Sequence, residues 1–380
     1  MKNIIFRLGV LCLISISCGC TSSDILAKVE YDNKYGFINT KGDIVVPIKY
    51  KAVGYFHEGL CTVRLNDKWG FINSKGEEVI DLTYDMVLDF SEGLAPIRLD
   101  NKWGYINTDG VEVIPTKYKY VGNFSEGLAP VCLDNKWGYI NTDGVEIISS
   151  KYDDALSFVN GFAAVQSSSG WGFINKEGVE VIPPKYWDIK SYFIEDLAVV
   201  RSDYDKYIYI NKDGMEVLHP KYDEVYPFSN GLAKVRTRVS VDYGRYYYYY
   251  GYINKNGIEV IPTQFDEAGN FSEGLCPVLM NDKYGYINTE GELAIPFQYE
   301  YASSFSEGLA VVASVDTDLG GYINTDGRLV IPFKYDNASS FSEGLARVRL
   351  DGEDVYINKK GKVVISEGEY YIVDDFHKVE

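Results

Sequence analysis

Leu94-Ala-Pro-Ile-Arg-Leu-Asp-Asn-Lys-Trp-Gly-Tyr-Ile-Asn-Thr-Asp-Gly-Val-Glu-Val-Ile-Pro115, running on through Tyr118 to Phe124-Ser-Glu-Gly127, is the stretch that decides the fold. Leu94 to Leu99 alternates and is rich in branched side chains, the pattern of a strand. Asp100-Asn101 reads as a two-residue turn, because both residue types tolerate positive φ. A turn that tight sets Leu99 against Lys102, Ile97 against Gly104 and Ala95 against Ile106. One face then carries Ala95, Ile97, Gly104 and Ile106, and the other Pro96, Arg98, Trp103 and Tyr105. Asn107-Thr108-Asp109-Gly110 is a second turn, with Asn first and Gly last as a type I turn prefers. Val113-Ile114 points to opposite faces of a third strand, which predicts that both its faces are covered. Pro115 lacks a backbone donor and is expected to end that strand. The segment from Tyr118 to Phe124 reads as a loop or a short fourth strand.

The same unit occurs ten times. Its asparagines are Asn39, Asn73, Asn107, Asn141, Asn175, Asn211, Asn254, Asn288, Asn324 and Asn358, in steps of 34, 34, 34, 34, 36, 43, 34, 36 and 34. Each has Gly three residues on. A unit of 34 residues cannot enclose a core alone, so adjacent copies must cover one another.

The motifs Trp69-Gly70 with Asn73 and Gly76, Trp103-Gly104 with Asn107 and Gly110, Trp137-Gly138 with Asn141 and Gly144, and Trp171-Gly172 resemble the WG (KWG) repeat family of bacteria. The resemblance spans essentially all of the chain after residue 25. Tyr35, Tyr207, Tyr250 and Tyr284 replace the Trp elsewhere, and Ile208 and Val355 replace the Gly in two copies that are expected to pack differently. The resemblance implies an all-β repeat array and no general activity or ligand.

The first Leu-Ala strand begins at Leu26, and the last recognisable element, Phe376, matches Phe341. No split unit is evident at the termini, and ten copies exceed the roughly four to eight blades of ordinary propellers. The expected architecture is therefore an all-β, open superhelical array of ten β-meander repeats over residues 26–380. The polar tail Ser366-Glu-Gly-Glu369 and Asp374-Asp375 would protect its end. The alternative is a large or paired β-propeller.

Residues 1–20 read as an export signal: Lys2 and Arg7, then the mostly apolar Leu8–Ile16, then small residues. Cys20, or alternatively Cys18, sits where a bacterial lipobox would place the acylated cysteine, with residues 21–25 as a tether. This predicts a membrane association through a lipid anchor only, at the cell envelope on the outer membrane or cell surface. Cys61, Cys132 and Cys276 have no disulfide or metal spacing and read as structural. The formal charge of -18 opposes binding to nucleic acid.

Catalysis finds no support. His57, His219 and His377 lie in distant units without a nucleophile motif, and the glutamates of the Ser-Glu-Gly turns recur as structure, each expected to cap its own turn. No cofactor loop is present, and the Asn-x-x-Gly turns are Asx turns rather than calcium loops. The Trp ring of each copy is expected in the core. The second ring, as in Tyr105, Tyr139 and Tyr252, is expected to keep its hydroxyl in water. The 43-residue step places an insert at 237–250, whose Arg245, Tyr246, Tyr248 and Tyr250 are suited to contact. The expectation is a non-catalytic exported lipoprotein binding an envelope protein, or alternatively a glycan through exposed aromatic rings.

Overall fold

The computed structural model describes residues 25–202, 206–240, 245–366, 370–373 and 375–379. The signal segment, Cys18 and Cys20 lie outside them. The described elements are β-strands, and the ten repeats form nine antiparallel sheets, mostly of four strands, because the eighth and ninth repeats merge into one seven-stranded sheet over residues 267–335. In the third sheet the order is Met86–Val87, Leu94–Leu99, Lys102–Asn107 and Glu112–Tyr118. Its register is the one dictated by the two-residue turn: Leu99 opposes Lys102, Ile97 opposes Gly104 and Ala95 opposes Ile106. Asp100 and Asn101 take φ of 48° and 62°, a type I′ geometry whose twist suits a hairpin.

The two faces of each sheet serve two different neighbours. Ala95, Ile97 and Ile106 pack with Phe71 and Ile80 of the second sheet. Tyr105, Ile114 and Tyr118 pack with Ala129, Val131 and Ile140 of the fourth. Stacking of incomplete units is thus the source of the core: even in the seven-stranded sheet the cluster joins two successive repeats, Tyr286 and Ile295 of one with Ala310 and Val312 of the next.

The stack closes on itself. Tyr371–Ile372 and His377–Lys378 pair with Ile25–Tyr31, completing the first sheet from the other end of the chain. Ala27, Val29 and Ile38 of that sheet share a cluster with Tyr356 and Ile365 of the last sheet and with Phe376. Val373 N donates to Lys28 O at 3.0 Å, and Tyr370 Oη to Gly42 O at 2.8 Å. The arrangement is therefore a closed, propeller-type ring, the alternative of the two sequence expectations. The C-terminal tail completes the first sheet where an end cap of an open array was expected. The sign was Phe376: it stacks on Tyr356 at 4.9 Å as Phe341 stacks on Tyr322 at 4.9 Å, so it is the missing phenylalanine of the first unit.

Two further expectations change in the last strand of each unit. It does not end at proline. Glu112–Tyr118 runs through Pro115, which lies in a bulge between the pairs Tyr105–Ile114 and Trp103–Tyr118, where no donor is needed. Nor is it covered on both faces: Ile114 is buried while Val113 is 40% exposed, because this edge strand has a neighbouring sheet on one side only.

The bulge explains the glycine of the motif. A Cβ on Gly104 would sit 2.5 Å from Ile114 O and 2.7 Å from Thr116 N, and the same backbone crosses over Gly70, Gly138 and Gly172. Where Ile208 stands instead, the last strand shrinks to Glu216–Leu218 and the second pairing is absent. The divergent copies do pack differently, and the crossing strand is the reason.

Candidate binding surface

The turns of the ring are occupied by structure. Asn107 Oδ1 accepts from Asp109 N at 3.1 Å and Val111 N at 2.9 Å, closing an Asx turn. Glu92 takes φ of 55° and accepts from Glu126 N and Gly127 N of the next unit at 2.6 and 2.8 Å. The carboxylate therefore caps the following copy's turn rather than its own. Glu307 repeats this toward Gly344 N at 3.0 Å and pairs with Lys359 at 3.1 Å. Desolvation alone would raise its pKa, but Lys359 and the backbone amides hold it below the usual range.

The aromatic expectations divide. Trp103 is buried, whereas Trp69, Trp137 and Trp171 are half-buried, on inner strands and packed against the core clusters. The second ring is the true core residue. Tyr105, Tyr139 and Tyr252 are buried, and their hydroxyls donate across the interface to Gly122 O, Leu156 O and Gly269 O at 2.7–2.8 Å. Those hydroxyls are not in water, because a carbonyl of the next sheet faces each of them. Cys61, Cys132 and Cys276 are buried free thiols.

Closure also gathers what looked distant. His57 and His377 line one cleft of about 540 Å³ at the seam. The Ser342 hydroxyl in the same cleft is spent on Phe376 O at 3.1 Å, as its counterpart Ser91 is on Phe124 O.

The insert is an extended hairpin in the seventh sheet, Leu232–Ser240 against Tyr246–Asn254, paired throughout. In ordinary copies the aspartate after the last strand ends the hairpin: Asp85 Oδ2 accepts from turn residue Asp100 N at 3.1 Å, and Asp266 Oδ2 from Asn281 N at 3.2 Å. In the seventh sheet Asp223 accepts from Arg238 N at 2.6 Å, and the hairpin continues beyond it. The prolonged ribbon therefore projects past the level at which the other hairpins stop.

One face of the ribbon alternates cation and ring. Arg236 lies 4.4 Å from the Tyr248 ring centre, and Arg238 lies 4.6 Å from that of Tyr246. Tyr246, Tyr247 and Tyr248 are 48%, 54% and 41% exposed, and Arg245 is exposed beside them. Tyr250 is half-buried, with Lys234 over its ring at 5.8 Å. Between this ribbon and the divergent sixth sheet runs a cleft of about 710 Å³, lined among others by Lys206, His219, Lys221, Arg236, Arg238 and Tyr248. Arg236 of this lining pairs with Glu224, which also accepts from Lys190, each at 2.7 Å. Desolvation pushes Glu224 up, but these cations hold it below the usual carboxylate range. Burial and Glu224 together push the neighbouring Tyr226 phenol up to about 12.

The family described as WG containing repeat matches the chain nine times, over residues 35–69, 69–103, 103–137, 137–168, 171–207, 209–238, 250–284, 284–313 and 321–353. Residues 239–249 of the ribbon fall between matches. No curated protein matches the sequence. Among solved structures, dihydro-heme d1 dehydrogenase NirN in complex with DHE is 11% identical at a TM-score of 0.37, covering 96% of this chain and 78% of its own. Apo AztD from Citrobacter koseri is 11% identical at a TM-score of 0.31, covering 92% and 94%. Likenesses this distant say nothing about a ligand.

Proposed function

The chain belongs to the family of WG containing repeats, and on that premise we propose that it is a non-catalytic, exported lipoprotein whose ring presents the seventh-sheet ribbon to a protein partner at the cell envelope. The observation that carries this reading is the ribbon itself. It fills the longest interruption between the family matches, residues 239–249, and it carries Tyr246, Tyr247 and Tyr248 exposed on a regularly paired two-stranded support. Rigid amphipathic rings lose little entropy on contact and are favoured in interfaces. Export and anchoring rest on Lys2, Arg7, the apolar run Leu8–Ile16 and Cys20 or Cys18. A glycan-binding role is the second reading: the guanidinium groups of Arg238 and Arg236 occupy one face of Tyr246 and Tyr248, and Tyr247, 54% exposed, is the ring a sugar would stack on.

The test is capture from envelope extract by the wild type and by the double variant Tyr246→Ala/Tyr248→Ala, beside a glycan array. A protein retained by the wild type and lost from the variant is the expected result. Saturable glycan binding lost in the same variant would overturn it in favour of the sugar reading. Incorporation of a palmitate analogue at Cys20 or Cys18 tests the anchor.

A further inference from the structure

The two edges of the projecting ribbon differ. On the Leu232–Ser240 side, Arg238 turns its N–H outward, where Asp223 Oδ2 accepts it at 2.6 Å. A carboxylate thus plugs that edge. In an antiparallel pair, residues that turn one member's backbone groups outward do the same for the opposite member. Tyr248 opposes Arg238 and Tyr246 opposes Ser240, two positions further along. Both tyrosines therefore turn their N–H and C=O to the other edge. The next strand, Glu259–Phe265, reaches only as far as the pair Tyr250–Phe265. Among the described residues no strand pairs with Tyr246–Tyr249 from that side.

Natural edge strands are blunted by charge, proline or a bulge. Tyr246–Tyr249 contains no charged residue and no proline, and its pairing with Thr237–Ser240 is regular. We infer that this edge accepts an extended acidic peptide of the partner as an added β-strand. The inference rests on the protein-binding reading above. The stretches Leu232–Ser240 and Arg245–Asn254 hold Lys234, Arg236, Arg238 and Arg245 and no acid, in a chain of net charge -18. The guanidinium groups of Arg236 and Arg238 reach across the hairpin to lie over the rings of Tyr248 and Tyr246. Glu224 and Asp223, from the other side of the hairpin, pair with Arg236 at 2.7 Å and Arg238 at 3.7 Å, so four bases meet two acids and the ribbon keeps a surplus of positive charge to attract a docked acidic strand. Backbone hydrogen bonds supply affinity in such pairing and alternate side chains supply specificity. A second copy of this chain is the poorer occupant, because edge-to-edge pairing would bring together two like-charged ribbons and two strongly acidic bodies.

The experiment titrates the full chain with a labelled ten-residue peptide alternating Glu and Thr, and with its Lys–Thr counterpart. The variants are Tyr248→Pro, which deletes an outward N–H without touching the hairpin's own ladder, and Arg238→Gln. Loss of an edge hydrogen bond with its geometry is expected to weaken the Glu–Thr peptide about tenfold, with Arg238→Gln and added salt weakening it too and the Lys–Thr peptide failing to bind. Should Tyr248→Pro lower the melting temperature, Tyr246→Pro, at the other outward position, takes its place. Equal binding of both peptides, no binding of either, or unchanged binding by the melting-neutral proline variant overturns the inference. A concentration-dependent dimer that Tyr248→Pro abolishes also overturns it, by assigning the edge to a second copy. If the envelope partner is still captured by Tyr248→Pro but not by Tyr246→Ala/Tyr248→Ala, strand addition falls while the binding reading stands.

Discussion

Replacing Gly104 by Ala isolates the device that makes this repeat. Gly104 is not at positive φ, so ordinary reasoning predicts that Ala there stabilises by about 0.4–1 kcal/mol through the unfolded chain. The ring predicts the opposite sign. The new methyl would meet Ile114 O at 2.5 Å, Thr116 N at 2.7 Å and Pro115 C at 2.8 Å, all backbone atoms of the crossing strand. A side chain rotates away from such a contact, but this backbone is held by Ile114 in the core on one side and by the Trp103–Tyr118 pairing on the other. Overpacking costs typically about 1–3 kcal/mol, and three backbone contacts place Gly104→Ala at the upper end, ~3 kcal/mol. The strand gives way at its weakest point, the bulge, as it does where Ile208 occupies this position. Hydrogen exchange should accelerate at Thr116–Tyr118 and at Trp103 while Leu94–Leu99 stays protected, and the urea midpoint should fall. Gly127→Ala is the control: nothing lies within 4 Å of its Cβ position but its φ is +84°, so it costs backbone conformation alone, about 1–2 kcal/mol. A Gly104→Ala protein as stable as wild type, with unaltered exchange at Thr116–Tyr118, would refute the crossing-strand account.

Three other consequences are measurable. Phe376→Ala empties the seam between the first and last sheets, and at ~3–5 kcal/mol it should open exchange along Ile25–Tyr31 and broaden the thermal transition; unchanged exchange there would mean the ring is not closed in solution. Glu307 has a folded pKa held below its unfolded value, so the stability it contributes is complete above the ordinary glutamate range and is lost as pH falls through the folded value. Glu307→Gln should therefore flatten the acid limb of stability against pH below about 4.3, and an acid limb identical to wild type would remove the carboxylate ladder from the account. Burial pushes the Cys61 and Cys276 thiols up to about 12 and about 11, and Cys132 is raised by burial as well. At pH 8 all three should resist a thiolate-seeking reagent until denaturant is added, whereas rapid labelling of the native protein would contradict their burial.

Much of the candidate surface was legible before any coordinates. The 43-residue step located the insert, and the run Tyr246–Tyr250 beside Arg245 marked it for contact. Its asymmetry was not legible, because Asp223 plugs one edge from another strand and nothing in the insert's own sequence records that. The tyrosine hydroxyls were misjudged for a related reason: Tyr105 looks amphipathic in isolation, and only the next sheet supplies the Gly122 carbonyl that lets its hydroxyl be buried. The Ser-Glu-Gly glutamates looked self-contained, yet each carboxylate reaches the following copy.

What the sequence alone determined was everything that repeats within one unit and its immediate fold-back. Asp100-Asn101 dictated the hairpin register, Asn107 and Gly110 the Asx turn, and the spacing of asparagines the number of repeats. These follow from local backbone sterics and from alternation, which act over a few residues. Only the tertiary structure decided whether ten repeats make an open array or a ring, because closure depends on a small rotation between neighbours summed ten times, and no single copy encodes that sum. The C-terminal strands and Phe376 complete the first sheet only because the accumulated rotation returns the last sheet to its side. The same geometry leaves one face of each edge strand bare and sets the ribbon of the seventh sheet free in solvent.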